Sequence, residues 1–157
     1  MRSLLSLLPL LATLFALGCA TAMTPNANSR PEIVAYVDRA ANLVRGNGPS
    51  CDAFGSPRWK SGDWYIFVLE RDGRTVCHPV RPDLVGTMVT DVADPNGKRI
   101  GQEFVNLATT QPNGGWVDYV WARPGQSAPV AKSSYVRLVT GPGGKAYIVG
   151  SGGYELK

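Results

Sequence analysis

The sequence predicts an α+β fold, an antiparallel sheet of five to six strands with a long N-terminal helix packed behind it. Three observations carry this reading. A helically spaced apolar stripe comes first, five β-rich runs broken by Gly, Pro, Asp and Asn follow, and a long connection separates the second run from the third.

The elements follow in order along a chain of 157 residues. Arg2 is the single charge ahead of an apolar stretch from Leu4 to Leu17, which ends at the small residues Gly18-Cys19-Ala20-Thr21-Ala22. Charge, apolar run and small residues in that order make residues 1–22 a signal peptide. The run is shorter than the roughly 20 residues a helix needs to cross a bilayer, and Pro9 interrupts it. Two cuts compete: Phe15-Ala16-Leu17-Gly18-Cys19 resembles a bacterial lipobox ending at a lipidated Cys19, and Ala20-Thr21-Ala22 offers an ordinary signal-peptidase site. Residues 23–30 are polar and short of large apolar groups, and read as a flexible tether. The remaining 31–157 suit one domain with a real core and are too few for two.

Within that domain, Ile33, Val34, Val37, Ala40, Ala41 and Val44 recur at three- and four-residue spacing behind Pro31, with Gly46 or Gly48 as the stop. This is one amphipathic helix. The β-rich runs are Asp63 to Arg71, Thr75 to His78, Gly115 to Ala122, Ser133 to Thr140 and Ala146 to Gly150. Asp72-Gly73 is a strong hairpin signal between the first two, and Gly141-Pro142-Gly143-Gly144 serves the last two. The connection from Pro79 to Gly114 holds the turn Asp94-Pro95-Asn96-Gly97 and a second helix at Gly101 to Thr109. A connection of that length inside a small domain is usually functional.

Cysteine arithmetic adds a constraint. The chain has three cysteines; if Cys19 carries lipid, Cys51 and Cys77 remain, and an even pair in an oxidising compartment tends to form a disulfide. Closing that loop is worth about 3 kcal/mol in the chain-entropy model. Two unpaired buried thiols are the alternative.

Several function classes find no support. The net charge of +4 is spread along the chain without a Lys/Arg cluster, so no nucleic acid is expected as a partner. There is no G-x-S-x-G, S-x-x-K, H-E-x-x-H or phosphate-binding loop, so the chain is not expected to be an enzyme. One histidine cannot build the usual metal triads, and the stretch from Asp91 to Gly97 lacks the alternating acids of a calcium loop. Neither metal nor cofactor is expected.

The order GDWYIFVLERDGRTVCHPVRPDLVG, DVADPNGKRI, GGWVDYVWARPG, KSSYV and VGSGGY resembles the Cache family in its single-domain form, the extracytoplasmic sensing domain of many bacterial chemoreceptors and sensor kinases. The resemblance runs from about Pro31 to Tyr154. It implies a PAS-like fold, with the helix behind a curved sheet and a ligand pocket roofed by the long connection. The family's receptors carry this domain between membrane helices, which this sequence does not show. The expectation is therefore a periplasmic or outer-membrane-anchored lipoprotein that touches the membrane only through its lipid. It would bind a small organic anion, a carboxylate or amino acid, and act through a separate receptor, kinase or transporter. The rival expectation is a structural or protein-interaction lipoprotein with a filled core.

Candidate pocket residues follow from alternation and from the resemblance. Val117, Tyr119 and Trp121 share one face of their strand, so Tyr119 and Trp121 can form an aromatic wall with a hydroxyl at its edge. Tyr65 and Phe67 share a face opposite Trp64, Ile66 and Val68; either face could be the core, and Tyr65 is a further candidate if its own lines the pocket. The resemblance makes Lys132 a cation aimed at a ligand carboxylate and Tyr135 a hydroxyl beside it. In an ideal strand Tyr135 lies on the other face, so it reaches the pocket only through a bulge. His78 is a fourth polar contact, whose titration would make binding depend on pH near 6 to 7.

Overall fold

The computed structural model describes residues 29–111 and 113–156. The signal peptide, Cys19 and most of the tether lie outside them. Helix α1, Arg30–Asn47, begins at the last residue assigned to the tether and runs a turn beyond the periodic stripe. Pro31 sits in its first turn, and the helix ends where the Gly48 N–H bonds back to the Val44 carbonyl at 2.9 Å. Ile33, Tyr36, Val37, Ala40, Ala41 and Val44 face inward, as the spacing requires, while Val34 is only partly buried. Among the described residues no helix is long and apolar enough to cross a membrane.

After α1 come a short helix α2, Cys51–Gly55, and a miniature hairpin of β1, Lys60–Ser61, with β2, Trp64–Tyr65. The main sheet contains β3, Phe67–Glu70; β4, Thr75–Cys77; β5, Gly115–Ala122; β6, Pro129–Thr140; and β7, Ala146–Tyr154. Its order is β4-β3-β7-β6-β5, antiparallel throughout. The expected strand Asp63 to Arg71 is split at Ile66, because β2 pairs with β1 whereas β3 joins the main sheet. Strands β6 and β7 run longer than their β-rich cores.

Alternation divides the core in two. Trp64, Ile66, Val68, Tyr135, Val139, Tyr147 and Val149 pack toward α1, together with Phe54 and Trp59. Tyr65, Phe67, Leu69, Val117, Tyr119, Val136 and Ile148 point the other way, toward α3, Ile100–Thr110, and the long connection. Each fully buried aliphatic or Phe side chain contributes roughly 1.5–3 kcal/mol relative to exposure. The connection is tied down by Asp94, whose carboxylate accepts the N–H groups of Asn96 and Lys98 at 2.9 Å each and that of Val120 on β5 at 3.1 Å. The Asp94-to-Gly97 stretch is thus the turn read in the sequence.

Cys51 and Cys77 form a disulfide with Cα atoms 5.1 Å apart, tying α2 to the edge strand β4.

Candidate functional site

The site is built where the sheet face away from α1 meets the long connection. Two glycines shape its floor on β7, the central strand. A Cβ on Gly150 would come within 2.3 Å of the Phe67 ring, and one on Gly152 within 2.3 Å of Ser134 Oγ. Bare backbone there lets side chains of β3 and β6 lean over the strand between them.

On the edge, a bulge sets which side chains reach this face. Val68 pairs with Cys77 and Leu69 with Thr75, so Val76 is an extra residue in β4. Without it Thr75 and Cys77 would share a face. With it, Cys77 joins the core under α1 while Thr75 and the following His78 line the pocket. The pocket encloses about 20 Å³, room for about one water, and its walls include Tyr65, Phe67, His78, Phe104, Tyr119 and Trp121.

At one end the pocket wall rests on Lys132. This lysine is 2 % exposed, and its Nζ donates to Tyr65 Oη at 2.5 Å and to Tyr154 Oη at 3.4 Å. The ammonium lies 4.3 Å and 4.7 Å from the ring centroids of these two tyrosines and 6.0 Å from that of Tyr119. Among the described residues no carboxylate forms an ion pair with it. Burial pulls its pKa down to about 7, and the charge of Asp63 offsets this only in part. Asp63 itself pairs with Arg123, which also bonds Glu155 at 2.6 Å and lies 4.8 Å from the Tyr154 ring centroid.

The surrounding phenols are held in place. Tyr154 Oη donates to the Ala122 carbonyl at 2.8 Å, and Tyr119 Oη shares a hydrogen bond of 2.9 Å with Ser134 Oγ. Burial raises the pKa of Tyr65 and Tyr119 and lifts that of Tyr154 to about 12, so all three stay neutral donors. His78 Nδ1 accepts the Arg81 backbone N–H at 3.1 Å, which leaves the proton of the neutral ring on Nε2. Burial, then the charges of Lys132 and Arg81, push its pKa down to about 3. In these surroundings the ring is held neutral well below the pH 6 to 7 range expected of it.

Of the sequence candidates, Lys132, Tyr119, Trp121, His78 and Tyr65 come together on this face. Tyr135 does not. The β6–β7 register is unbroken from Lys132 to Thr140, so no bulge turns Tyr135 inward. It packs toward α1 beside Trp116, and its hydroxyl donates to the Asn113 carbonyl.

Sequence reasoning missed Tyr154, Ser134 and Thr75 as site residues. Tyr154 shares the parity of Gly150 and Gly152, a signal within VGSGGY that was readable had the strand been carried to its end. Ser134 likewise shares the parity of Lys132. Thr75 had no such signal, since the Val76 bulge inverts what alternation predicts. Among the described residues no group of three or more His, Cys, Asp or Glu could hold a metal ion.

A two-sided antiparallel sheet with a helix on one face and a cation-backed aromatic pocket on the other defines a domain of the PAS-like kind. The family model for the Cache domain matches residues 51–156, and the chain belongs to that family. It is 38 % identical over 92 residues to the methyl-accepting chemotaxis protein McpP of Pseudomonas putida, and 32 % identical over 74 residues to the sensor histidine kinase MctS of Rhizobium johnstonii. Those matches cover 59 % and 47 % of this chain but 16 % of each relative's length. Among solved structures it is similar to a periplasmic sensor domain of a chemotaxis protein, with a TM-score of 0.57, 33 % identity and coverage of 80 % of this chain and 87 % of that one. It is also similar to a Cache chemosensory domain solved for the structural basis of its carboxylic acid recognition, with a TM-score of 0.57, 26 % identity and coverage of 79 % and 87 %.

Proposed function

We propose that this chain is an extracytoplasmic sensing domain that binds a small organic anion, a short carboxylate, with its carboxyl group at Lys132. The observation that carries the reading is a buried ammonium caged by phenols and lacking an ion-pair partner among the described residues. Burying an unpaired charge is costly, and an anion supplies the missing partner. An ammonium donating to a phenolic oxygen also makes the phenol's own O–H a stronger donor. Lys132, Tyr65, Tyr119 and the His78 Nε2–H then form the anion end, with Trp121, Phe67 and Phe104 as the apolar wall.

A plain carboxylate suits the site better than an amino acid. None of the described residues lining the pocket is Asp or Glu, so an α-ammonium would find no counter-charge there. The carboxylic acid recognition of the solved Cache neighbour supports the same class. The names of the relatives and neighbours support a periplasmic location and a partner of chemoreceptor or kinase type that reads occupancy. The one-domain division at 31–157, the signal peptide and lipidation of Cys19 belong to the same proposal and rest on the sequence alone.

A thermal-shift screen of short carboxylates and amino acids tests the binding reading. A carboxylate that binds should raise the melting temperature, by linkage, and Lys132→Ala should abolish that rise. If no carboxylate shifts the transition, or Lys132→Ala responds like the wild type, the reading is wrong and the filled-core alternative stands.

A further inference from the structure

The end of the pocket remote from Lys132 carries one polar group that the carboxylate reading leaves unused. Thr75 is 2 % exposed and lines the pocket with Leu69, Leu84 and Val89 around it. Its Oγ1 is fully buried and makes no hydrogen bond. Its backbone is engaged elsewhere: the N–H donates to the Thr87 carbonyl at 2.9 Å, and the carbonyl accepts from Gly86 N–H at 2.8 Å.

A buried hydroxyl without a partner destabilises the domain. Valine would fill the same space without that cost and is the better strand residue. Nothing within the described residues repays the hydroxyl, and the bulge at Val76 is what turns it inward. An orphaned donor and acceptor in a ligand pocket marks a position read by the ligand.

Resting on the carboxylate reading, we propose that Thr75 reads a second, uncharged oxygen on the ligand, so that the pocket selects an acid bearing a hydroxyl or oxo group far from its carboxylate. Two constraints define that group. Leu69, Leu84 and Val89 make the lining around Thr75 apolar, which suits an uncharged oxygen better than a second carboxylate. Thr75 pairs with Leu69, four residues from Tyr65 at the anion end and beyond the break at Ile66, so a ligand touching both ends carries its two oxygens several carbons apart.

The test compares neutral isosteres by calorimetry on the purified chain: 4-oxopentanoate against 4-methylpentanoate, and 5-oxohexanoate against 5-methylhexanoate. The wild type should prefer an oxo acid over its methyl counterpart by on the order of tenfold, the worth of one buried hydrogen bond. Thr75→Val should erase or reverse that preference, Thr75→Ser should keep it, and ligand-free Thr75→Val should melt higher than the wild type. If acids bind in a Lys132-dependent way but Thr75→Val leaves the ratio unchanged, the role of Thr75 is wrong and the carboxylate reading survives. A lower melting temperature for ligand-free Thr75→Val also overturns it, since the hydroxyl would then serve the fold. If no acid binds, the carboxylate reading fails and takes this one with it.

Discussion

Lys132 sits where a folding-only sequence would place an apolar residue. Its unfolded pKa lies near 10.5 and its folded pKa near 7. Between those values the unfolded chain holds the extra proton, so this group's contribution to stability rises with pH from about 7 to 10.5 and is least favourable below 7. Lys132→Met should therefore raise the melting temperature of the ligand-free domain, most clearly near pH 6, and flatten that slope; a lower melting temperature would show the ammonium holding the fold together. Binding has the opposite sign, because the carboxylate needs the charged form. Affinity should be flat below about pH 7 and weaken above it, with no inflection from His78, as titrations from pH 5.5 to 9 would show. The residues of this site were unevenly legible. Tyr119, Trp121 and Tyr65 followed from period-two alternation, and Lys132 needed the family resemblance because a lysine at a strand start ordinarily points to solvent. Tyr135 failed for the reason alternation itself gives, a strand without a bulge.

At the scale of elements, the edge strand β4 carries more than its three residues suggest. It holds Thr75 and precedes His78 on the pocket face, while Cys77 on the other face is fastened to α2. Reduction of that disulfide frees a loop of 26 residues and should cost about 3 kcal/mol. Urea unfolding with and without reductant measures this, and an unchanged midpoint would mean the link adds nothing to the edge. The floor makes a second prediction. A Cβ on Gly152 would also lie 2.4 Å from the Ser133 carbonyl oxygen, a backbone atom that cannot swing aside. Gly152→Ala should thus destabilise by roughly 1–3 kcal/mol and disturb the Tyr119–Ser134 contact; a wild-type unfolding curve would refute the close approach. Helix α1 was legible because its stripe repeats over several turns, and α3 nearly to the residue. The β1–β2 hairpin was not, since two-residue strands have no period to detect. The expected run stopped at Gly150 and missed the last four residues of β7, because Gly152 and Gly153 carry no side chains to show alternation, although Gly150 and Gly152 are the sites where β3 and β6 side chains close over the strand.

Across the whole molecule, one sheet serves two cores. The α1 side is rich in aromatics and braced by the disulfide, whereas the α3 side keeps a pocket backed by the buried Lys132. Strands β6 and β7 belong to both faces: Val136 and Ile148 pack toward α3, while Val139 and Val149 pack toward α1. The most direct test is a crystal structure of the domain with whichever carboxylate gives the largest thermal shift. The acid should lie with its carboxyl oxygens within about 3 Å of Lys132 Nζ or Tyr65 Oη, its chain directed along β3 toward Leu69. An acid seated instead in the surface cleft beside Lys60 and Pro124, with the phenol cage around Lys132 unchanged, would contradict the account.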